Sequence, residues 1–254
     1  MNKDLIISAS TKYTKVELNN YIKSINQSGF DGDKIMLVYD ITPETINWLK
    51  ENGWEVFQGE LSGHIHMNRL ISIYAILKQL NKSYRYIITT DVRDVVFQKN
   101  PSTYLEENLK KDILVSSENV TYENEPWGTK NILEGYGSFY LDIFKEKLSC
   151  NVGVLAGKSD AIKDLLLLNY LVSQSGNTQH FTDQSSFNFI INNYLIKDKI
   201  QIEGLETNWA LQLGTMNNPN LIGTIGKFKL EDYYIIHQYD RIKELNQTIY
   251  NKYL

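Results

Sequence analysis

Two aspartates, Asp91 and Asp94, follow directly on the apolar run Tyr86-Ile87-Ile88-Thr89-Thr90, with Val92 and Arg93 between them. The run is rich in β-branched residues and fits a buried strand. Carboxylates at the carboxyl end of a central strand lie where open α/β sheets bind their ligands. A pair placed there suits a hard divalent cation, which takes one or two carboxylates and leaves its other positions to phosphate and water. The competing reading is a pair of solvated loop acids, one of them bridged to Arg93. Spacing alone does not choose between the two.

Other candidates are scattered along the chain. Asp183-Gln184 follows Thr182 at a helix start, where an acid complements the helix dipole by roughly 0.3–1 kcal/mol without any catalytic role. His237 closes a late strand, and as a lone histidine it reads as structural on pattern alone. Arg69 lies near the start of the helix before the Tyr86–Thr90 strand, either solvated or paired with an anion. Asn151 and Gly153 lie in a short strand, where glycine marks a bulge or the close approach of a ligand to the backbone. Trp127 reads as a plug of the core rather than a stacking platform. His64 and His66 read as loop residues, not as a second metal site.

The elements that must position these groups alternate through the first half. Strands are expected at Asp4 to Ser8, Lys34 to Tyr39, Trp54 to Phe57 and Tyr86 to Thr90. Helical spacing of Leu18, Tyr21, Ile22 and Ile25, and later of Leu70, Ile73, Tyr74, Leu77 and Leu80, places helices between them. Thr42-Pro43-Glu44 is a helix start with a cap and a first-turn proline. The stretch Ser8 to Thr14 is expected as the first βα loop, opening on the same edge as Asp91 and Asp94. Such alternation predicts a mostly parallel central sheet flanked by helices. Beyond residue 100 a strand is expected at Ile113 to Ser116, a loop-rich stretch from Glu118 to Ser138, and a short strand at Asn151 to Gly157. A helix follows Ser159. The next opens at Thr182 with Phe187, Ile190, Ile191 and Tyr194 inward, and a last strand runs from Tyr233 to Ile236.

Bulk properties exclude several classes. A chain of 254 residues with 42% hydrophobic content can build one sizeable core. Its net charge of −4, with acids and bases interspersed, offers no footprint for nucleic acid. The single cysteine, Cys150, leaves no internal disulfide and no cysteine-based zinc site. The N-terminal apolar stretch is too short for a signal peptide, and no run approaches the roughly 18 residues of a membrane span. The expectation is a cytoplasmic protein with no integral membrane segment, forming a single continuous domain.

Four segments carry a family resemblance. Thr90-Asp91-Val92-Arg93-Asp94-Val95-Val96-Phe97-Gln98 resembles the metal-binding DxD segment of GT-A fold glycosyltransferases. Cys150-Asn151-Val152-Gly153-Val154-Leu155-Ala156-Gly157 is similar to their Asn-x-Gly-Val strand beside the sugar pocket. Asp183-Gln184 resembles the Asp-Gln pair of glycogenin-like transferases. Ile236-His237-Gln238-Tyr239-Asp240-Arg241 resembles the segment whose late histidine completes the metal site. The segments come in the family's order. One departure stands out: the usual motif separates its acids by one residue, whereas Asp91 and Asp94 are separated by two. If Asp94 holds the main position, Asp91 must reach in from one residue earlier, through a bulge.

The resemblance implies a Rossmann-like GT-A domain, with residues 1–100 as the nucleotide-binding half and 101–254 as the donor-sugar and acceptor half. It implies transfer of a sugar from a nucleotide-diphosphate sugar, UDP-linked by preference and GDP-linked otherwise, to a glycan or other hydroxyl acceptor. A divalent cation, Mn²⁺ or Mg²⁺, would be held by Asp91, Asp94 and His237. Asp183 and Gln184 would be catalytic. Ser8, Ser10, Thr11, Tyr39, Asp40, Arg69, Arg93, Asn151 and Gly153 would contact the donor. For an inverting enzyme Asp183 is the expected base, with Glu134 behind it, and the Asp-Gln pair tilts the expectation towards retention. The alternatives are a non-catalytic sugar- or nucleotide-binding protein of the same fold, and a nucleotidyltransferase making a nucleotide sugar. The second lacks the Gly-rich basic loop that such chemistry would place after the first strand.

Overall fold

Mostly apolar runs form the first, second and fourth strands, and each of the first three strands is followed by a helix with an apolar stripe. The chain runs β1 (Leu5–Thr11), α1 (Lys15–Gln27), β2 (Asp33–Tyr39), α2 (Pro43–Glu51), β3 (Glu55–Gln58), α3 (Ile65–Gln79) and β4 (Tyr86–Thr90). The structure is a computed structural model and describes residues 3–80, 82–177, 182–192, 196–216 and 229–253. The four strands lie parallel in the order β3-β2-β1-β4, as crossover helices between successive strands demand. Period-two alternation sorts their side chains between two cores. Leu5, Ile7, Ile35, Leu37 and Ile87 pack with Leu70, Ile73 and Leu77 of α3. Ile6, Met36, Val38 and Ile88 pack with Leu18 and Ile22 of α1 and Ile46 and Leu49 of α2. The Thr42 signal acts as read: its hydroxyl accepts the Thr45 N–H at 3.3 Å, ahead of Pro43.

The second half continues with β5 (Val95–Phe97), α4 (Pro101–Asn108), β6 (Ile113–Thr121), α5 (Pro126–Tyr136), α6 (Ser138–Phe144), β7 (Leu148–Lys158), α7 (Ser159–Ser173), α8 (Asp183–Ile191), β8 (Ile200–Glu203), β9 (Ala210–Gln212), β10 (Ile235–His237) and α9 (Lys243–Lys252). β7 enters between β4 and β6, antiparallel to both, and completes a seven-stranded sheet of order β3-β2-β1-β4-β7-β6-β8. The sheet is otherwise parallel and is flanked by helices in a single mixed α/β domain, as the alternation predicts. The reversal of β7 brings its early residues, Asn151 to Gly153, to the edge where β1 and β4 end. A second sheet, β5-β10-β9, holds β10 antiparallel to β5 and parallel to β9.

Some expectations change. Ser8 to Thr11 is strand and not loop, because the ladder with β2 continues to Thr11 opposite Tyr39. The stretch from Glu118 to Ser138 is not loop-rich; it holds the end of β6 and all of α5. Gly128 and Gly135 dilute the helical pattern of α5, and both sites are tight: a Cβ would lie 2.6 Å from Glu125 Oε2 at the first and 2.9 Å from Thr182 Cγ2 at the second. Thr182 precedes α8 as expected, but its hydroxyl donates to Ser173 O (3.1 Å) instead of capping the helix. Tyr194 lies outside the described residues. No helix among the described residues is long and apolar enough to cross a membrane.

Candidate functional site

The crevice arises where β1 and β4 part. Their main-chain register covers only Leu5 with Ile87 and Ile6 with Ile88. Beyond it, hydroxyls bridge the gap: Ser8 Oγ lies 2.8 Å from Tyr21 Oη, which lies 2.9 Å from Thr90 Oγ1. Strands that splay at their carboxyl ends leave room for a ligand between them. A cavity of about 400 Å³ opens there, lined by Thr11, Tyr13, Asp91, Asp94, Asn151, Asp183 and His237 among others.

Asp91, Asp94 and His237 offer ligand atoms that all lie within 4.8 Å of one another. Asp91 needs no bulge to reach the group. Its N–H donates to Gly153 O (2.9 Å), continuing the β4–β7 register by one residue past Thr90 and Val154. Val92 turns into the core, and the chain then enters β5 through Asp94, whose carbonyl accepts the Gln238 N–H at 2.7 Å. That bond and the pairing of His237 with Val95 bring the late histidine beside the acids.

The imidazole is held in one orientation. Its Nδ1 lies 2.7 Å from Gln212 Oε1, the residue opposite it on β9. A carbonyl oxygen only accepts, so Nδ1 carries a proton, and in the neutral imidazole the lone pair lies on Nε2. His237 Nε2 is buried and makes no hydrogen bond; it stands 3.5 Å from Asp91 Oδ2 and 3.7 Å from Asp94 Oδ1. Burial lifts the Asp94 carboxyl above its ordinary range; the imidazole lowers it less, and Asp91 adds to the rise. For Asp91, burial is outweighed by Arg69 and His237, which hold it well below the usual carboxylate range. Burial would depress His237, but the two acids raise it. Two carboxylates and an oriented imidazole with a buried, unbonded lone pair fit a divalent cation of the Mg²⁺–Mn²⁺ class.

Gly153 forms the wall of this group. A Cβ there would lie 2.4 Å from His237 Cε1, 2.8 Å from Asp91 Oδ2 and 2.9 Å from Asn151 Oδ1. Gly153→Ala is therefore expected to cost about 1–3 kcal/mol of stability through overpacking and to weaken Mn²⁺ binding while leaving every candidate ligand in place. Thermal unfolding with and without Mn²⁺ checks this. A variant that melts like the parent and gains the same stabilisation from the metal would refute it.

Arg69 joins two parts of the site. It projects from α3 and is largely buried, with Nη1 donating to Asp91 Oδ1 and Nη2 lying 3.4 Å from Asp183 Oδ2. Asp183 is buried at the start of α8, and His66 Nδ1 lies 4.0 Å from it. A second cluster centres on Glu118 of β6, a buried carboxylate absent from the sequence-based candidates. It accepts from Ser149 Oγ (2.5 Å) and Asn151 Nδ2 (2.8 Å), and Gln184 Nε2 lies 3.4 Å away. Asn151 Oδ1 in turn accepts the Gly153 N–H at 2.7 Å. One carboxylate thus orients two of the amides that line the cavity, Asn151 and Gln184, and a charged acceptor makes such bonds strong.

Not every expected donor contact reaches the cavity. Thr11 lines it, and its buried hydroxyl has no hydrogen-bond partner. Ser8 and Ser10 do not line it, because alternation along β1 turns them to the opposite face from Thr11. Tyr39 is buried in the core, with its hydroxyl accepting from Asn68 Nδ2 (3.2 Å). Asp40 is exposed beyond it with φ +50°. Arg93 lines the cavity but donates to Asp240 Oδ2 (3.1 Å) and to neither Asp91 nor Asp94. Glu134 is exposed on α5, outside the cavity. Trp127 is no core plug: it is 52% exposed and lines the cavity. His66 is no loop residue, since α3 begins at Ile65. Gln212, Gln238 and Glu118 escaped sequence reasoning, since amides and lone acids carry no signal until pairing places them.

No protein-family model matches the sequence, and no curated protein matches it. Among solved structures, the chain is similar to the glycosyltransferase GlyE of Streptococcus pneumoniae TIGR4, with a TM-score of 0.56 and 17% identity. The likeness covers 99% of this chain and 63% of that one. At such identity it shows a shared fold and nothing beyond it.

Proposed function

We propose that the chain is a nucleotide-sugar-dependent glycosyltransferase of GT-A type, with a UDP-sugar as the preferred donor and a GDP-sugar as the alternative. The observation that carries this reading is the buried His237 Nε2, without a hydrogen bond, within 3.7 Å of both Asp91 and Asp94 in the lining of the cavity. The fold shared with a glycosyltransferase supports it. A divalent cation held by Asp91, Asp94 and His237 would act as a Lewis acid for the departing diphosphate.

The chain's own residues do the rest. Residues 1–100 serve the nucleotide, with Thr11 and Tyr13 against its base and ribose. Residues 101–254 serve the sugars, with Asn151 and Gln184 holding donor hydroxyls in the orientation that Glu118 imposes. The acceptor hydroxyl attacks the anomeric carbon; a glycosidic C–O bond forms as the bond to the phosphate oxygen breaks. In an inverting reaction Asp183 takes the hydroxyl proton. In a retaining one the departing phosphate takes it and Asp183 holds the sugar. The Asp-Gln pair favours retention. Arg69, bound to Asp91 and Asp183, keeps both halves of the site in register.

The test is incubation with a panel of UDP- and GDP-sugars, with and without Mn²⁺, following release of the nucleoside diphosphate. Manganese-dependent release from one donor is expected. If no nucleotide is bound or consumed under either condition, the reading fails.

A further inference from the structure

A second cavity, of about 490 Å³, opens beside the first. Trp127, Asn151, Gln184, Gln238 and Arg241 line both, and Glu118, Glu125 and Thr215 line only the second. We propose that this second cavity binds the acceptor as an uncharged sugar ring stacked on Trp127. The proposal rests on the donor reading of the first cavity and adds the acceptor's chemical class.

Trp127 carries the argument. The residue is 52% exposed and lies at the first turn of α5, where its backbone N–H donates to Glu125 Oε1 at 3.2 Å. A large apolar ring left half-exposed, at the border of two polar cavities, gains by being covered. The other walls are hydrogen-bonding groups: the carboxylates of Glu118 and Glu125, the Thr215 hydroxyl and the Gln238 amide. One flat face surrounded by acceptors and donors matches a sugar, which presents C–H bonds on its face and hydroxyls at its edge. A lipid chain would need an apolar wall beyond this single ring, and the lining has none.

Charge narrows the class further. Two carboxylates meet one guanidinium, and Arg241 Nε also lies 3.7 Å from Asp240 Oδ1. The excess is negative, so a uronic acid or a lipid phosphate would be repelled, while a neutral ring is not.

Saturation-transfer NMR tests this on the full chain with UDP and the diamagnetic Mg²⁺ present. The probes are maltose, lactose and N,N′-diacetylchitobiose, with methyl glucuronide as the anionic control. At least one neutral disaccharide should receive saturation on its ring protons. Trp127→Phe should retain that binding, whereas Trp127→Ala should weaken it by about tenfold, the worth of one stacking face. The proposal falls if Trp127→Ala binds the disaccharide as well as the parent does. It also falls if only the glucuronide binds, or if UDP binds and no neutral sugar does. Loss of UDP binding with sugar binding intact at Trp127 would instead remove the donor reading and leave the sugar site standing.

Discussion

His237→Ala should abolish manganese-dependent nucleotide binding and lower turnover by on the order of 10²- to 10³-fold, the usual loss when one preorganised group facing developing charge is removed. The reason is geometric. His237 Nε2 is a buried lone pair between two carboxylates, and no other neutral nitrogen donor completes that group among the described residues. Asp94→Asn should act in the same direction, because the amide keeps the shape of the carboxylate but not its charge. Gln212→Leu is the graded form: it spares all three candidate ligands and frees the imidazole from its orienting bond. Loss of such an outer partner costs about 10–100-fold in metal affinity. Calorimetric titration of UDP with and without Mn²⁺ reads all three variants. Nucleotide binding that ignores the metal in the parent, and survives both His237→Ala and Asp94→Asn, would sink the metal assignment.

Arg69→Met is expected to destabilise the fold by about 3 kcal/mol, the lower end of the range for breaking a buried ion pair. The lower end applies because the Asp91 side chain keeps 31% exposure, while Asp183 is almost wholly buried. Without the guanidinium, both acids remain at the crevice with no cation bonded to them. Two further outcomes separate this cause from simple loss of packing. Asp183→Asn in the same background should recover part of the loss, since it removes one of the stranded charges. Saturating Mn²⁺ should stabilise Arg69→Met more than the parent, because a bound cation would neutralise Asp91. Urea unfolding measures each. If Asp183→Asn adds to the destabilisation and Mn²⁺ helps both proteins equally, Arg69 acts through its aliphatic stem and not its charge.

The strand that ends at Asp91, the alternation that builds a parallel sheet, and the helix starts at Thr42-Pro43 and Asp183 are all legible in the sequence. Each is a short-range matter: a β-branched run, a period of 3.6 residues, or a cap. Chain order also placed Asn151, Asp183 and His237 as isolated candidates. What the sequence withheld is which of them meet. Gln212 and His237 are 25 residues apart and face each other only because β9 and β10 pair in one register. Glu118 joins Asn151 and Gln184 across three separate elements, and nothing local distinguishes it from any solvated acid. Ser8 and Thr11 look alike as polar residues after an apolar run; only the continued ladder with β2, by extending the strand, decides that one faces the core and the other the cavity. Local propensity therefore determined the elements and the types of chemistry they carry. Strand register and the reversal of β7, which depend on pairing between distant segments, decided the site.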